Sequence, residues 1–274
     1  MAARRAVSRV PQTPPLVRLR ARIKAVLRAR GVDVRRWPPP LPEHVDEEAA
    51  TIIAAARPFT MTSVDALFSL IEATRYVVGR QVPGAFVECG VWRGGSMVAV
   101  ARTLQQLGTT DRHLWLYDTF EGMTEPAGSD VRYSGDRARA ADLLAAEPVG
   151  DGDGIWCYST LDEVRAAMAD TGYPADHVHY VTGPVEKTIP GQVPDRIALL
   201  RLDTDWYEST RHELRHLMPL MTPGGVLIVD DYWYWQGCRQ AVDEYLAETG
   251  LPLLLTPVHI TGVAVVPGPV APAD

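Results

Sequence analysis

The architecture of this chain of 274 residues is clearest in residues 85–107, which read AFVECGVWRGGSMVAVARTLQQL. The apolar run at 86–89 predicts a buried strand, and residues 96–107 have the apolar spacing of a helix. The turn between them contains three glycines, which allow a ligand to approach the backbone and the helix N-terminus. This stretch therefore predicts a strand–turn–helix unit with a ligand-binding turn.

Alternating strands and helices follow this unit to the end of the chain. Nearly continuous apolar strands that alternate with helices predict a mostly parallel sheet covered on both faces. The expected fold is α/β, with an antiparallel closing pair of strands and with the ligand beyond the carboxyl ends of the parallel ones. Strands are predicted at 113–117, 178–181, 197–202, 226–229, 251–255 and 259–266, and helices at 161–171 and 236–248.

The chain is expected to have three parts. Residues 1–42 form a basic arm rich in proline and arginine, and residues 43–84 form a helical segment that covers the site or mediates oligomerisation. Within that segment a helix is predicted at 63–79, opened by a capping box that begins at Thr62. Residues 85–274 form the ligand-binding domain, with a long variable loop at 119–158.

The charge of the chain is unevenly distributed. Residues 1–42 hold eleven basic residues and one acidic residue, whereas the whole chain has a net charge of −7. No nucleic-acid-binding motif accompanies the basic arm. We therefore interpret it as a segment that packs on another subunit, rather than as a partner of nucleic acid or of an anionic surface.

The composition limits the class of protein. No apolar run approaches the roughly 18 residues that a membrane-spanning helix requires. The three cysteines, Cys89, Cys157 and Cys238, are too few for a disulfide framework in a chain of this length. We expect a cytoplasmic protein with neither a membrane nor a nucleic-acid partner.

Carboxylates follow two of the predicted strands. Asp203 and Asp205 come after the fourth strand, and Asp230 and Asp231 come after the fifth. If these strands are neighbours, the carboxylates converge at one edge of the sheet, where repulsion raises their pKa values. A divalent cation with oxygen ligands, for which Mg²⁺ is best suited, would relieve that repulsion. The alternative is that these residues cap helices or end strands in solvent.

Aromatic residues surround the same predicted edge. Such faces suit sugar rings or macrocycles, although aromatic side chains at these positions can equally serve packing. The six residues are Trp206, Tyr207, Tyr232, Trp233, Tyr234 and Trp235.

The glycine turn has the pattern acidic-x-Gly-x-x-x-Gly, from Glu88 through Gly90 to Gly94. Val91 and Trp92 would crowd a pyrophosphate, so the pattern differs from a dinucleotide-binding turn, and it lacks the Lys-Ser/Thr ending of a P-loop. It resembles the first motif of class I S-adenosylmethionine-dependent methyltransferases, in which a carboxylate at the next strand end, here Asp118, would bind the ribose hydroxyls. A simple tight turn is the alternative reading.

Several runs of the sequence resemble the macrocin O-methyltransferase family, and the likeness covers residues 58–266. Members of that family are Mg²⁺-dependent enzymes that methylate deoxysugar hydroxyls on antibiotics and related natural products. The resemblance implies a Rossmann-like class I methyltransferase sheet with an N-terminal helical extension, and a homo-oligomer. The matching runs are FTMTS at 59–63, VECGVWRGGSM at 87–97, YDTFEGM at 117–123, LDTDWYEST at 202–210 and PGGVLIVDDY at 223–232.

The same resemblance implies roles for individual residues. It assigns metal ligation to Asp203, Asp230 and Asp231, and it makes Asp205 the general base. The positions expected near the methyl donor are Met61, Glu88, Gly90, Val91, Ser96, Asp118, Gly183, Glu186 and Asp203.

A more distant likeness links residues 183–190, GPVEKTIP, to the catechol O-methyltransferases. In that group a Ser-Gln pair within this segment meets the adenine, whereas Val185 and Glu186 stand at those positions here. The lysine base of the catechol enzymes is also missing, since Asp205 and Trp206 occupy its neighbourhood. These departures favour the sugar-modifying branch.

We therefore predict transfer of a methyl group from S-adenosylmethionine to a deoxysugar hydroxyl on a glycosylated natural product, with Mg²⁺ bound. A cation that chelates two adjacent hydroxyls would favour a vicinal diol as acceptor. The alternatives are a methyltransferase for a non-sugar diol or catechol-type molecule, a non-catalytic relative that binds S-adenosylmethionine, and a nicotinamide-dependent oxidoreductase. The glycine turn and the lack of a Tyr-x-x-x-Lys pair disfavour the oxidoreductase.

Overall fold

The computed structural model describes residues 41–133, 135–147 and 154–268. The chain divides into two compact units, Met1–His44 and Val45–Asp274. All of the strands and helices below belong to the second unit. Apart from its last two residues, the predicted basic arm at 1–42 lies outside the described residues.

The second unit is built on a seven-stranded sheet with the order β3-β2-β1-β4-β5-β7-β6. The first five strands in this order are parallel, and β7 and β6 are antiparallel to their neighbours. This confirms the mostly parallel sheet with an antiparallel closing pair. The strands are β1 Ala85–Cys89, β2 Leu114–Asp118, β3 Val178–Thr182, β4 Ile197–Leu202, β5 Met221–Val229, β6 Thr256–Val258 and β7 Thr261–Val265.

Helices cover both faces of the sheet. On one face, α1, α2, α3 and α5 pack against a core that contains Phe86 of β1. On the other face, α4, α7 and α8 pack against a core that contains the next residue, Val87. Side chains of a strand alternate between faces, so a strand whose successive residues are both buried must lie between two layers. The described helices are α1 Glu47–Ala56, α2 Val64–Gly79, α3 Gly95–Gln106, α4 Ala140–Ala146, α5 Leu161–Thr171, α6 Val185–Thr188, α7 Tyr207–Leu217 and α8 Gln236–Thr249.

Two local predictions were wrong. The run at 251–255 is not a strand, and the closing pair begins only at β6. Pro252 has no backbone N–H to donate to a sheet, and Leu254 is 83% exposed rather than buried. The helix α2 is capped by Ser63 rather than Thr62, because the Ser63 hydroxyl accepts from the Ala66 N–H at 3.2 Å. Thr62 instead accepts a hydrogen bond from Arg201.

The variable loop at 119–158 is longer than a simple connection. Among its described residues it contains the helix α4, which the sequence did not predict, and α4 packs onto the sheet through Ala140 and Leu144. Among the described residues, no helix has the length and apolar character needed to cross a bilayer.

Candidate active site

A cleft with a volume of about 370 Å³ lies beyond the carboxyl ends of β1, β2, β4 and β5. This is where ligands bind in open α/β sheets. Of the residues proposed for the donor, the cation and the base, Glu88 alone does not line it, because its side chain is buried within the sheet. The other proposed residues line the cleft: Met61, Gly90, Val91, Ser96, Asp118, Gly183, Glu186, Asp203, Asp205, Asp230 and Asp231.

The glycine turn is pressed against the turn that follows β4. Gly90 has a φ of +82°, and a Cβ atom placed on it would lie 2.0 Å from the carbonyl oxygen of Asp203. The Asp203 N–H also donates to the carbonyl of Cys89 at 2.8 Å. Only glycine fits between these two backbones. The glycine turn and the turn at Asp203–Asp205, which we call the acidic turn, therefore lie side by side.

Asp118 holds the same glycine turn from the β2 side. One of its carboxylate oxygens accepts from the N–H groups of Val91 at 2.6 Å and Trp92 at 3.0 Å, and the other accepts from Phe120 at 2.7 Å. Burial raises the pKa of Asp118, and these three N–H groups oppose that rise. The residue expected at the ribose is therefore also a structural element of the turn.

A buried arginine that was not among the candidate site residues, Arg201, connects β1 to the carboxylates that follow β4 and β5. The side chain of Arg201 is 2% exposed and contacts Glu88 at 2.7 Å, Asp230 at 2.7 Å and Asp203 at 2.5 Å. Its partner Glu88 has a pKa of about 7, because burial raises it more than Arg201 lowers it. Glu88 and Arg201 are opposite each other on β1 and β4. The sequence feature that could have indicated this contact is a basic residue within an otherwise apolar strand.

Three carboxylates gather around one point at the edge of the sheet. Oxygen atoms of Asp203, Asp205 and Asp231 all lie within 4.8 Å of one another. Burial, followed by repulsion from Asp203, raises the pKa of Asp205 to about 7, and burial with mutual repulsion also raises the pKa values of Asp203 and Asp231. A set of oxygen ligands held together against their own repulsion fits a hard divalent cation.

Asp230 is placed differently from the other three aspartates. Its Oδ1 contacts Arg201 at 2.7 Å and accepts from the Thr261 hydroxyl at 3.1 Å. The structure therefore brings together two of the three expected metal ligands, Asp203 and Asp231, with the expected base Asp205. Asp230 borders this group from the side of Arg201.

Most of the predicted aromatic cluster serves packing. Trp206 and Trp235 are buried with their ring centroids 5.1 Å apart, edge to face. The Trp235 indole N–H donates to Asp205 at 3.2 Å, and that of Trp206 donates to the carbonyl of Thr124 at 3.0 Å. Of the six aromatic residues, only Tyr234 lines the cleft. The tryptophans thus support the acidic turn from behind.

Segments outside the sheet supply the remaining walls. Residues 59–63, before α2, line one side, and Met123, Thr124 and Cys157 of the variable loop line another. His259 and Thr261 of the β6–β7 hairpin also line the cleft. Cys157 and His259 were not candidate site residues, because nothing local in the sequence shows which loop residues reach a cleft.

The chain is similar to known O-methyltransferases. Residues 42–265 match the macrocin O-methyltransferase family, TylF. The 8-demethyl-8-(2,3-dimethoxy-alpha-L-rhamnosyl)-tetracenomycin-C 4'-O-methyltransferase of Streptomyces olivaceus is 36% identical over 204 residues, which are 74% of this chain and 74% of that protein. Demethyldecarbamoylnovobiocin O-methyltransferase of Streptomyces niveus is 33% identical over 212 residues, 76% of this chain and 75% of that protein.

A solved structure shows the same fold. The O-methyltransferase NovP is similar with a TM-score of 0.67 and 28% identity, over 77% of this chain and 83% of that one. The chain therefore belongs to the macrocin O-methyltransferase family, and it is an O-methyltransferase with the class I methyltransferase fold.

Proposed function

We propose that this enzyme transfers a methyl group from S-adenosylmethionine to a hydroxyl of a deoxysugar on a glycosylated natural product, with Mg²⁺ bound beside the acceptor. The observation that carries the proposal is the contact between the glycine turn at Gly90 and the acidic turn at Asp203–Asp205. In this proposal, a site for a methyl donor lies next to a site for a cation and a base. In Mg²⁺-assisted methyl transfer to a hydroxyl, all three act within one cleft.

The donor half is formed by residues that line the cleft near the glycine turn. These residues are Met61, Val91, Ser96 and Asp118. Gly183 and Glu186, which follow β3, supply the wall expected next to the adenine. Glu88 acts from within the sheet, where its contact with Arg201 connects the donor half to the acidic turn.

The cation half is formed by carboxylates. Asp203 and Asp231 are the proposed Mg²⁺ ligands whose spacing supports the assignment directly. Asp230 is the proposed third ligand; among the described residues its contacts with Arg201 and Thr261 both use Oδ1, which leaves Oδ2 for the cation. When bound, Mg²⁺ lowers the pKa of a coordinated hydroxyl and orients it.

Asp205 is the proposed general base. Its carboxylate lies in the acidic group, and the Trp235 indole N–H holds one of its oxygens at 3.2 Å. A base fixed in this way can accept the proton of the acceptor hydroxyl as the oxygen attacks the methyl carbon in line with the departing sulfur. The tryptophan contact keeps the carboxylate oriented towards the cleft.

The choice of a sugar as acceptor rests on the relatives and on the chemistry of the site. One relative is named for a methylation on a rhamnosyl tetracenomycin. Chelation by a cation suits the vicinal hydroxyls that deoxysugars carry. Assembly as a homo-oligomer and a cytoplasmic location remain predictions from the sequence.

The test is turnover with a panel of acceptors. The enzyme is incubated with S-adenosylmethionine and Mg²⁺ and with 6-deoxyhexosides of aromatic or macrocyclic aglycones, and methylated products are detected by mass spectrometry. Free catechols and non-sugar diols complete the panel. Methylation of a deoxysugar that ceases with a chelator and with Asp205→Asn supports the proposal. Methylation of catechols alone, or turnover that chelators leave unchanged, contradicts it.

A further inference from the structure

Glu213 of α7 is a buried carboxyl group that the proposed chemistry does not use. Its side chain is 0% exposed, and it is absent from the lining of the cleft. A carboxyl group placed inside a protein loses its hydration, so it is retained only where hydrogen bonds or a function offset that cost. Its partners are therefore informative.

Those partners belong to the acidic turn, Asp203–Asp205, and to the neighbouring strand β1. The Thr204 hydroxyl donates to the carboxylate of Glu213. It lies 3.0 Å from one carboxylate oxygen and 3.1 Å from the other. The thiol of Cys89, the last residue of β1, is also hydrogen-bonded to Glu213. Thr204 stands between Asp203 and Asp205, so Glu213 is tied to the acidic turn at its centre.

The acidic turn has a strained conformation that needs such support. Asp205 has a φ of +66°, a left-handed conformation that is uncommon for residues other than glycine, although aspartate adopts it more often than most. The Thr204 carbonyl accepts from the Trp206 N–H at 2.7 Å, which closes a tight turn. A strained turn persists only where its surroundings determine each residue.

Each of the three residues of the turn has its own anchor. Arg201 contacts Asp203, Trp235 donates to Asp205, and Glu213 accepts from Thr204. The first two anchors act on the carboxylates themselves. The third acts through Thr204, which stands between the two aspartates.

We propose that Glu213 is a positioning residue: by anchoring the Thr204 hydroxyl behind the turn, it holds the carboxylates of Asp203 and Asp205 at the spacing that binds a divalent cation. This inference rests on the cation site of the proposed function. It requires hydrogen-bonding capacity at position 213 rather than a negative charge, because the partners of Glu213 are a hydroxyl and a thiol. Glutamine therefore serves in its place, and a hydrophobic residue of similar size does not.

The experiment measures Mn²⁺ binding by calorimetry, with S-adenosylhomocysteine binding and the free energy of unfolding measured on the same preparations. Glu213→Met and Thr204→Val remove the anchor from either side, and Glu213→Gln keeps it. Thr103→Val is the matched control, because the Thr103 hydroxyl is also buried and donates to a carbonyl, that of Ala99 at 2.7 Å, but lies on α3 away from the cleft.

Loss of the anchor is expected to weaken Mn²⁺ binding by about tenfold in Glu213→Met and Thr204→Val, the range seen when outer partners of metal ligands are removed. Glu213→Gln and Thr103→Val are expected to bind Mn²⁺ within about twofold of the wild type, since neither loses an anchor of the turn. S-adenosylhomocysteine affinity changes much less than Mn²⁺ affinity in every variant. Such a split separates positioning from a general loss of stability.

Three results would overturn the inference in distinguishable ways. Mn²⁺ affinities equal to wild type in Glu213→Met and Thr204→Val would refute the role of Glu213 and leave the proposed cation site intact. A wild-type protein that binds no Mn²⁺ would refute this inference together with the cation part of the proposed function. Equal weakening of both ligands in the four variants, in proportion to lost stability, would show a purely structural role.

Discussion

Replacement of Gly90 by alanine places a methyl group where the backbone of the acidic turn already lies. The added Cβ would be 2.0 Å from the carbonyl oxygen of Asp203 and 2.5 Å from its carbonyl carbon. Neither atom belongs to a flexible side chain, so either the turn at 203–205 or the glycine turn must move. The substitution therefore tests whether the contact between the two turns builds the site.

The cost has two parts. Gly90 has a φ of +82°, and a left-handed conformation costs a residue with a side chain about 1–2 kcal/mol. The overlap with the Asp203 backbone adds about 1–3 kcal/mol, the range for insertion of a methyl group into a packed site. We expect Gly90→Ala to lower the free energy of unfolding by about 2–5 kcal/mol in total.

Gly108→Ala is the matched control. Gly108 also has a positive φ, +69°, but a Cβ atom there would meet nothing within 4 Å. Its expected cost is the conformational part alone, about 1–2 kcal/mol, and any effect on the unfolded chain is shared by both variants. The difference between the two variants isolates the overlap with the acidic turn.

The assay is urea unfolding of both variants, with S-adenosylhomocysteine affinity measured by calorimetry below the unfolding transition. Gly90→Ala is expected to lose more stability than Gly108→Ala and to bind S-adenosylhomocysteine at least about tenfold more weakly, because displaced positioning groups cost at least that much. Equal stabilities of the two variants, with wild-type affinity in Gly90→Ala, would refute the close approach as the basis of the site.

Three further predictions concern the buried charges. Arg201→Met should lower the free energy of unfolding, measured in urea, by about 3–5 kcal/mol, because it leaves buried carboxylates without the positive charge of the guanidinium. A loss below about 1 kcal/mol would contradict the ion pairs as described. The pKa of Asp205 is raised to about 7 in the folded protein, so the folded state binds more protons than the unfolded state between pH 4 and 7. The contribution of Asp205 to stability therefore falls as the pH rises through that range. Without Mg²⁺, Asp205→Asn should therefore show a smaller loss of urea stability between pH 5 and 7.5 than the wild type, and an identical loss would count against the shift. Mg²⁺ at 100 times its Kd should raise the wild-type free energy of unfolding by about 2.7 kcal/mol and leave Asp203→Asn much less affected, as thermal unfolding with and without a chelator can establish.

Local patterns in the sequence predicted the features that depend on neighbouring residues. The strand β4 and the helix α5 begin and end where their apolar spacing predicts. The alternation of apolar strands and helices predicted a parallel sheet, and β4 and β5 are parallel neighbours in it. Convergence of Asp203 and Asp231 at one edge is then a consequence of that pairing.

Features that depend on register or on loop paths could not be predicted. The contact of Arg201 with Glu88 requires these residues to be opposite each other on β1 and β4, and the sequence does not state the register of two strands. Asp230 is held by the same arginine and by Thr261, which is distant from it in the sequence. The run at 251–255 was mistaken for a strand because it is apolar. Its alternate leucines are half-buried against the core, but the run does not join the hydrogen bonds of the sheet.

The most direct test of the proposed function is calorimetric titration of S-adenosylhomocysteine and of Mg²⁺ into the wild type and into Asp203→Asn. We predict that both proteins bind S-adenosylhomocysteine with micromolar affinity and that only the wild type takes up Mg²⁺, because the donor and the cation occupy separate halves of one cleft. Absence of S-adenosylhomocysteine binding under every condition would contradict a methyl-donor site at the glycine turn. Uptake of Mg²⁺ by Asp203→Asn with unchanged affinity would contradict the placement of the cation at the acidic turn.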